Sequence, residues 1–227
     1  MKTALVIPVL NEQGIIGRVL EEIPASFSGR IIVVDNGSSD GTAEEARAAG
    51  AEVIYEPRQG YGYACMAGYL AAKDADIIVF MDGDGADDPA QIPILVQPIE
   101  QDRADLVIGS RELGNAEPGA LLLQARIGNW ITARLVQLLY GLRISDLGPF
   151  RAIRRKVLDS LDMQEMIYGW TIEMMVKAVK RGYRVHEVPV DYRKRLGGKS
   201  KISGTLRGTI LAAYYILGTT AKHAWRE

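Results

Sequence analysis

The feature that most constrains this chain is a strict alternation of short apolar runs with helical segments across residues 1–90. Thr3 to Val9, Arg30 to Val34, Glu52 to Tyr55 and Asp76 to Met81 read as strands, short and rich in β-branched or large apolar residues. Between them, Ile15 to Ile23 has helical spacing through Ile16, Val19, Leu20 and Ile23. Ser39-Asp40-Gly41-Thr42 opens a helix reaching Ala49, with Asp40 or Thr42 as N-cap, and Gly62 to Lys73 is a helix of small residues. Strands that alternate with helices predict an α/β fold with a mainly parallel central sheet flanked by helices. Ligands of such sheets bind at the carboxyl ends of the strands.

Those ends are polar in this chain. Strand one runs into Pro8-Val9-Leu10-Asn11-Glu12, strand two into Asp35-Asn36-Gly37-Ser38-Ser39-Asp40, and strand four into Asp82-Gly83-Asp84-Gly85. All three clusters are expected at one edge of the sheet. Asp82 and Asp84 are two apart, and Gly83 and Gly85 let the backbone bend so that both carboxylates reach one ion. Mg²⁺ or Mn²⁺ is the expected metal, since both are commonly held by one or two carboxylates plus substrate phosphates. Such a cation neutralises charge on a departing diphosphate. An isolated Asp-Gly-Asp would read as a solvated acidic turn; the preceding Ile77-Ile78-Val79-Phe80-Met81 favours the site. Asp35 can accept bonds from a ribose or base, or can cap the turn that follows it.

The second half is less regular. Asp105 to Gly109 reads as a strand ending at Gly109-Ser110-Arg111. Leu121 to Tyr140 is a long helix, apolar on most sides, and Leu142 to Arg151 is a Gly/Pro-containing loop. Helices are expected near 154–160 and 170–181, an extended segment over Tyr183 to Tyr192, and a final helix from about Ser203 to Trp225.

The combined motifs resemble the family 2 inverting glycosyltransferases. Pro8 to Glu12, Val33 to Thr42 and Phe80 to Asp84 carry that resemblance over nearly the whole chain. It implies a GT-A type single domain. Gly148-Pro149-Phe150-Arg151, Gly182 to Val190 and Arg195 to Lys201 are similar to the dolichol-phosphate mannosyltransferase branch. That branch moves a hexose from a nucleotide-sugar donor, of UDP-glucose or GDP-mannose type, onto a polyprenyl phosphate. Carried over by position, the resemblance assigns Pro8, Asn11, Glu12, Asp35 and Gly37 to the nucleoside side of the donor. Asp82, Gly83 and Asp84 take the metal and diphosphate. Arg111 and Arg126 bind phosphate, and Arg195, Ser200 and Lys201 form a loop that closes over it. Ala86 departs from the Gln usual in that branch, and Ser145-Asp146 shifts its acidic residue by one position; the exact sugar and acceptor are therefore open.

A phosphate acceptor is already an anionic nucleophile and needs orientation more than deprotonation. A hydroxyl acceptor on a saccharide or small molecule would need a general base, for which Asp146 and Glu173 are candidates. Glu173 reads equally as a surface position on an amphipathic helix. Two further readings compete. Asp82-Gly83-Asp84-Gly85 is similar to the nucleophile motif of haloacid-dehalogenase-type phosphatases, but that motif normally lies near the chain start and leaves the first two clusters unexplained. An inactive nucleotide-sugar-binding module would not need the acidic pair with Arg111 and the basic loop. No Gly-x-Gly-x-x-Gly follows the first strand, which excludes a dinucleotide-binding Rossmann reading.

Composition narrows the setting. The 227 residues are 48% hydrophobic, enough for one sizeable core. We divide them into residues 1–202, the transfer domain, and 203–227, a C-terminal amphipathic helix. The net charge of −1 gives no expectation of nucleic-acid binding. A single cysteine, Cys65, and no visible signal peptide fit the cytoplasm. Residues 180–226 are rich in Lys and Arg against only Glu187 and Asp191, which suits a phosphate or an anionic surface. Leu206, Ile210, Ala213, Tyr214, Leu217 and Ala221 form one stripe of the last helix, flanked by Arg207, Lys222, Trp225 and Arg226. That stripe can pack on its own domain, on another subunit of a homo-oligomer, or at the interface of a membrane.

Overall fold

The alternation is realised as one seven-stranded sheet covered on both faces. The computed structural model describes residues 1–197 and 206–225. In chain order the elements are β1 (Thr3–Val9), α1 (Ile16–Glu21), β2 (Arg30–Asp35), α2 (Thr42–Ala48), β3 (Glu52–Tyr55), α3 (Tyr61–Ala71) and β4 (Ile77–Phe80). There follow α4 (Ile92–Glu100), β5 (Leu106–Ser110), α5 (Leu123–Tyr140), β6 (Arg151–Arg154), α6 (Arg155–Leu161), α7 (Trp170–Lys180), β7 (Val185–Pro189) and α8 (Leu206–Trp225). The strand order is β3-β2-β1-β4-β6-β5-β7. Neighbours pair in parallel except β6, which runs antiparallel to both β4 and β5.

Successive strand residues point to opposite faces, so each strand supplies two cores. Val6, Ile32, Val34, Ile78 and Phe80 pack on one side with α3 and with Trp170 and Met174 of α7. The Phe80 and Trp170 rings meet edge to face, 6.1 Å between centroids. Leu5, Ile7, Val33 and Val79 pack on the other side with Ile16 and Val19 of α1 and Leu95 and Ile99 of α4.

Two elements were not expected. The pattern assigns residues up to Arg151 to a loop, yet Arg151–Arg154 is the buried strand β6. Two of its four residues are arginines, which hides the apolar run. Arg151 is fully buried, and its guanidinium donates to the carbonyls of Leu147, Gly148 and Thr171. Burial pushes its pKa down to about 10. Helix α4 is likewise masked, with a proline in its first turn and Pro98 inside it. The tail helix α8 packs on α5 and α7. Thr219 and Thr220 are buried there, and the Tyr140 hydroxyl donates to the Thr220 carbonyl. No helix among the described residues is long and apolar enough to cross a membrane.

The antiparallel run of β6 has a functional effect. Its first residue, Arg151, lies opposite Phe80 and Ile108, near the carboxyl ends of β4 and β5. The loop before it is therefore delivered to the edge where ligands bind. At the opposite end of the sheet, Asp105 accepts from Arg154 Nε at 3.2 Å and from Arg184 Nε at 3.0 Å. Arg184 foremost holds the Asp105 carboxyl down at about 2. Its folded pKa is below the unfolded value, so this stabilisation is present above about pH 4 and is lost as pH falls through about 2. Asp105→Asn should cost about 1–2 kcal/mol in urea unfolding at neutral pH, a difference that disappears in strong acid.

Candidate active site

The carboxyl ends of β1 and β2 are tied together by short polar loops. The Asn36 N–H donates to the Val9 carbonyl at 2.9 Å. Asn11, in a left-handed conformation (φ 53°), accepts from the Ser39 N–H at 2.8 Å. The Glu12 N–H donates to Thr42 Oγ1 at 2.8 Å. Asp35 accepts from the Ser38 N–H at 2.9 Å through Oδ1, so one of its oxygens caps its own turn. Gly37 has φ 85°, which favours glycine. Asn36, not singled out from sequence, joins this edge to the segment before α3. Its amide donates to the Glu56 and Arg58 carbonyls and accepts from the Gly60 N–H.

Asp82, Asp84 and Asp87 follow β4 within one turn. Gly83 is required there: a Cβ would lie 2.5 Å from Val9 Cγ1 and 3.5 Å from the Pro8 carbonyl oxygen. That close approach sets the acidic turn directly against the end of β1. Asp84 accepts from the Ala86 N–H at 2.9 Å and pairs with Arg195 Nη2 at 2.7 Å. Asp87 is buried, and one of its oxygens accepts from the Asp82 N–H at 3.3 Å. Burial, then the charges of Asp82 and Asp84, push the Asp87 carboxyl well up. The Asp82 carboxyl is also raised, by burial first and then by Asp84, against the pull of Arg195 and Arg111. The Asp82 and Asp84 carboxyls at one turn are the donor type that holds a divalent cation whose shell is completed by phosphate oxygens, and such a cation would offset the burial and mutual repulsion that raise Asp82. Among the described residues no three His, Cys, Asp or Glu side chains are arranged to hold a metal by themselves.

Residues 192–197 strap this turn. The Arg193 N–H donates to the Ala86 carbonyl at 2.8 Å and the Leu196 N–H to the Asp84 carbonyl at 3.1 Å. Arg193 pairs with Glu22 and Asp88. Ser200 and Lys201, the other members of the expected loop, lie outside the described residues.

A cavity of 300 Å³ opens beside the acidic turn. Its polar end is formed by Asp82, Arg111, Arg195, Tyr61, Asn129 and Tyr192. Its other walls are largely apolar and include Ile131, Ile167, Ile216 and Leu217 from α5, the α6–α7 loop and α8. The Tyr61 hydroxyl is buried here without a hydrogen-bond partner. Tyr61 and Asn129 were not legible as site residues: one sits at a helix start and the other within an apolar helix, and only the packing of α3 and α5 turns them inward.

Two expected catalytic residues need correction. Asp146 is fully buried and filled with donors: Arg111 Nε at 2.7 Å, Arg111 Nη2 at 2.8 Å, the Leu147 N–H at 2.7 Å and the Asn129 amide. Against the upward push of burial, Arg111 holds its carboxyl below the ordinary range. It orients Arg111 and has no basicity to spare. Glu173 is neither a base at the cavity nor a surface residue. It is fully buried, accepts from the Gln164 and Glu165 N–H groups and pairs with Lys177 at 2.7 Å, anchoring the loop before α7. Arg126 does not line the cavity; it is exposed and pairs with Glu112 at 2.9 Å.

Because the folded Asp82 pKa lies above its unfolded value, folding binds a proton there, and stability falls as pH rises above about 4. In metal-free buffer, Asp82→Asn should raise the melting temperature at about pH 8 by on the order of 2–4 °C. Scanning calorimetry should find a smaller gain at about pH 5.

Known proteins resemble this chain in sequence and fold. Residues 4–162 match the family described as Glycosyl transferase family 2. An uncharacterized glycosyltransferase of Mycobacterium tuberculosis is 40% identical over 210 residues, which cover 92% of this chain and 93% of that protein. A dolichyl-phosphate hexose transferase of Haloferax volcanii is 37% identical over 196 residues, 86% of this chain and 84% of that protein. The crystal structure of glucosyl-3-phosphoglycerate synthase from Mycobacterium tuberculosis, in complex with Mn²⁺, UDP and phosphoglyceric acid, shares the fold. Its TM-score is 0.80 at 23% identity, covering 100% of this chain and 79% of that one. With the α/β sheet of GT-A type and the acidic turn after β4, the matched motifs make this chain a glycosyltransferase that belongs to glycosyl transferase family 2.

Proposed function

We propose that the chain transfers a hexose, with inversion, from a nucleoside diphospho-sugar to a polyprenyl phosphate. The observation that carries this reading is the two-ended cavity. Its polar end holds Arg111 and Arg195 beside Asp82, and its apolar side lies between α5 and α8. A phosphate at the first and an isoprenoid at the second match that polarity. The similarity to a dolichyl-phosphate hexose transferase supports the same acceptor class.

Asp82 and Asp84 would hold Mg²⁺ or Mn²⁺, which supplies charge neutralisation to the leaving diphosphate. The loops of Pro8, Asn11, Glu12, Asp35 and Gly37 would receive the nucleoside. Arg111 would orient the acceptor phosphate: Asp146 fixes its Nε and Nη2, so Nη1 is the nitrogen not engaged by that carboxylate. A phosphate oxygen attacks the anomeric carbon from the face opposite the diphosphate. The new C–O bond forms as the bond to the diphosphate breaks, and the nucleoside diphosphate departs with the negative charge. Arg195, next to Asp84, would stabilise that charge as it develops. No proton need be removed, and Asp82 is the one carboxylate among the described residues lining the cavity. A hydroxyl acceptor would demand a base, and neither Asp146 nor Glu173 is disposed to act as one. In this reading 203–227 is an accessory unit whose described part, α8, closes the cavity. Peripheral contact with the cytoplasmic face of a membrane follows from the acceptor.

Labelled UDP-glucose and GDP-mannose, each with Mg²⁺ or Mn²⁺, should give a labelled lipid-phosphate product from a polyprenyl phosphate. Transfer to hydroxyl acceptors alone would refute the reading. Arg111→Ala should lower kcat/KM by about 10²-fold or more, since it removes a charge-assisted phosphate contact. Glu173→Gln should lower stability while leaving the turnover of folded enzyme nearly unchanged.

A further inference from the structure

Helix α5 has two distinct faces. Asn129, Thr132, Ala133 and Val136 are buried against the domain. The opposite side carries Leu123 (71% exposed), Ile127, Trp130 (61%), Ile131 and Leu138 (80%). Their spacing puts them on one stripe of the helix, and Tyr214 (72% exposed) and Leu217 of the adjoining α8 extend it. So large a set of contiguous exposed apolar side chains marks an interaction surface.

Charge identifies the partner. Neither α5 nor α8 contains a single Asp or Glu. A groove of 580 Å³ on the same side includes Arg126, Arg134 and Arg143 together with Ile127 and Trp130, and Arg134, one turn after Trp130, stands within the stripe itself. One acid in its lining, Glu112, pairs with Arg126. The Arg134 guanidinium stacks over the Trp130 ring, 5.7 Å from its centroid. Trp and an Arg whose long stem can carry its charge to the headgroup level, on an otherwise apolar helix face, are the elements of an interfacial helix on an anionic bilayer. A second copy of the chain is a poorer occupant. A two-fold interface sets the patch against itself, bringing Arg134 and Arg143 toward their own copies with no acid on either helix to meet them.

We infer that the outer face of α5, with the neighbouring turn of α8, seats on an anionic phospholipid surface, and that the Arg134–Arg143 groove takes a lipid phosphate headgroup distinct from the acceptor. The inference extends the polyprenyl-phosphate reading above. Ile131 and Leu217 line the cavity and are also exposed on this face, so an isoprenoid leaving the cavity would pass directly into the bilayer.

The test is co-flotation of the full chain with vesicles of phosphatidylcholine alone or with about one third phosphatidylglycerol. Binding should require the anionic lipid and weaken with salt. The double variant Arg134→Gln/Arg143→Gln should lower partitioning about 25-fold, roughly fivefold per charge. Trp130→Ser/Leu138→Ser should abolish it. Both variants should keep their melting temperatures and their transfer to a water-soluble, short-chain isoprenyl phosphate. No flotation at any composition, or partitioning unchanged by the arginine variant, would overturn the inference. So would a dimer by light scattering that Trp130→Ser/Leu138→Ser converts to monomer, since the face would then belong to a second copy. If flotation behaves as expected but no isoprenyl phosphate is glycosylated, the docking surface stands and the acceptor reading falls.

Discussion

Three carboxylates confined to one turn after β4 are the interaction on which the rest of the site depends. Asp84 and Asp87 are buried, and Asp82 lies on the cavity wall. Mutual repulsion in a partly dry setting raises the cost of ionising them together. The fold brings cations from distant parts of the chain to the same place. Arg195 pairs with Asp84 from a strap more than a hundred residues later, and Arg111 arrives from the end of β5. The arrangement sets acidic side chains and two guanidinium groups side by side at one end of the cavity.

That juxtaposition follows from the topology. A purely parallel sheet would send the chain back through a helix after every strand. Inserting β6 antiparallel between β4 and β5 returns the 145–150 loop straight to the ligand edge, where Asp146 locks Arg111. Glu187 of β7 in turn accepts from the backbone N–H groups of Ser145 and Asp146. Arg111 and Arg195 are each held by a more deeply buried carboxylate, Asp146 and Asp84, so the guanidinium geometry is set before any ligand arrives.

The hydrophobic side is built by a different rule. Helices α5 and α8 each bury one face on the domain and leave another apolar face outside. A water-soluble acceptor would not need that exposure, and it weakens the case for a purely aqueous substrate. The apolar wall of the cavity and the exposed stripe share the side chains of Ile131 and Leu217.

The sequence by itself determined the parallel first half, the strand-end clusters and the acidic turn, because each of these is local. Period-two apolar runs, glycines at sharp turns and paired aspartates are readable over a handful of residues. It also predicted the long helix over 121–140 and the strand ending at Ser110-Arg111. Only the tertiary structure decided the strand β6, since its buried arginines are satisfied by partners far away in the chain. The same holds for Asp146 and Glu173. Their carboxylates look like candidate bases when read along the chain, and they are positioning groups once Arg111 and the 164–165 backbone fill their lone pairs. Tyr61 and Asn129 reached the cavity by the same means, because which face of a helix turns inward depends on what packs against it.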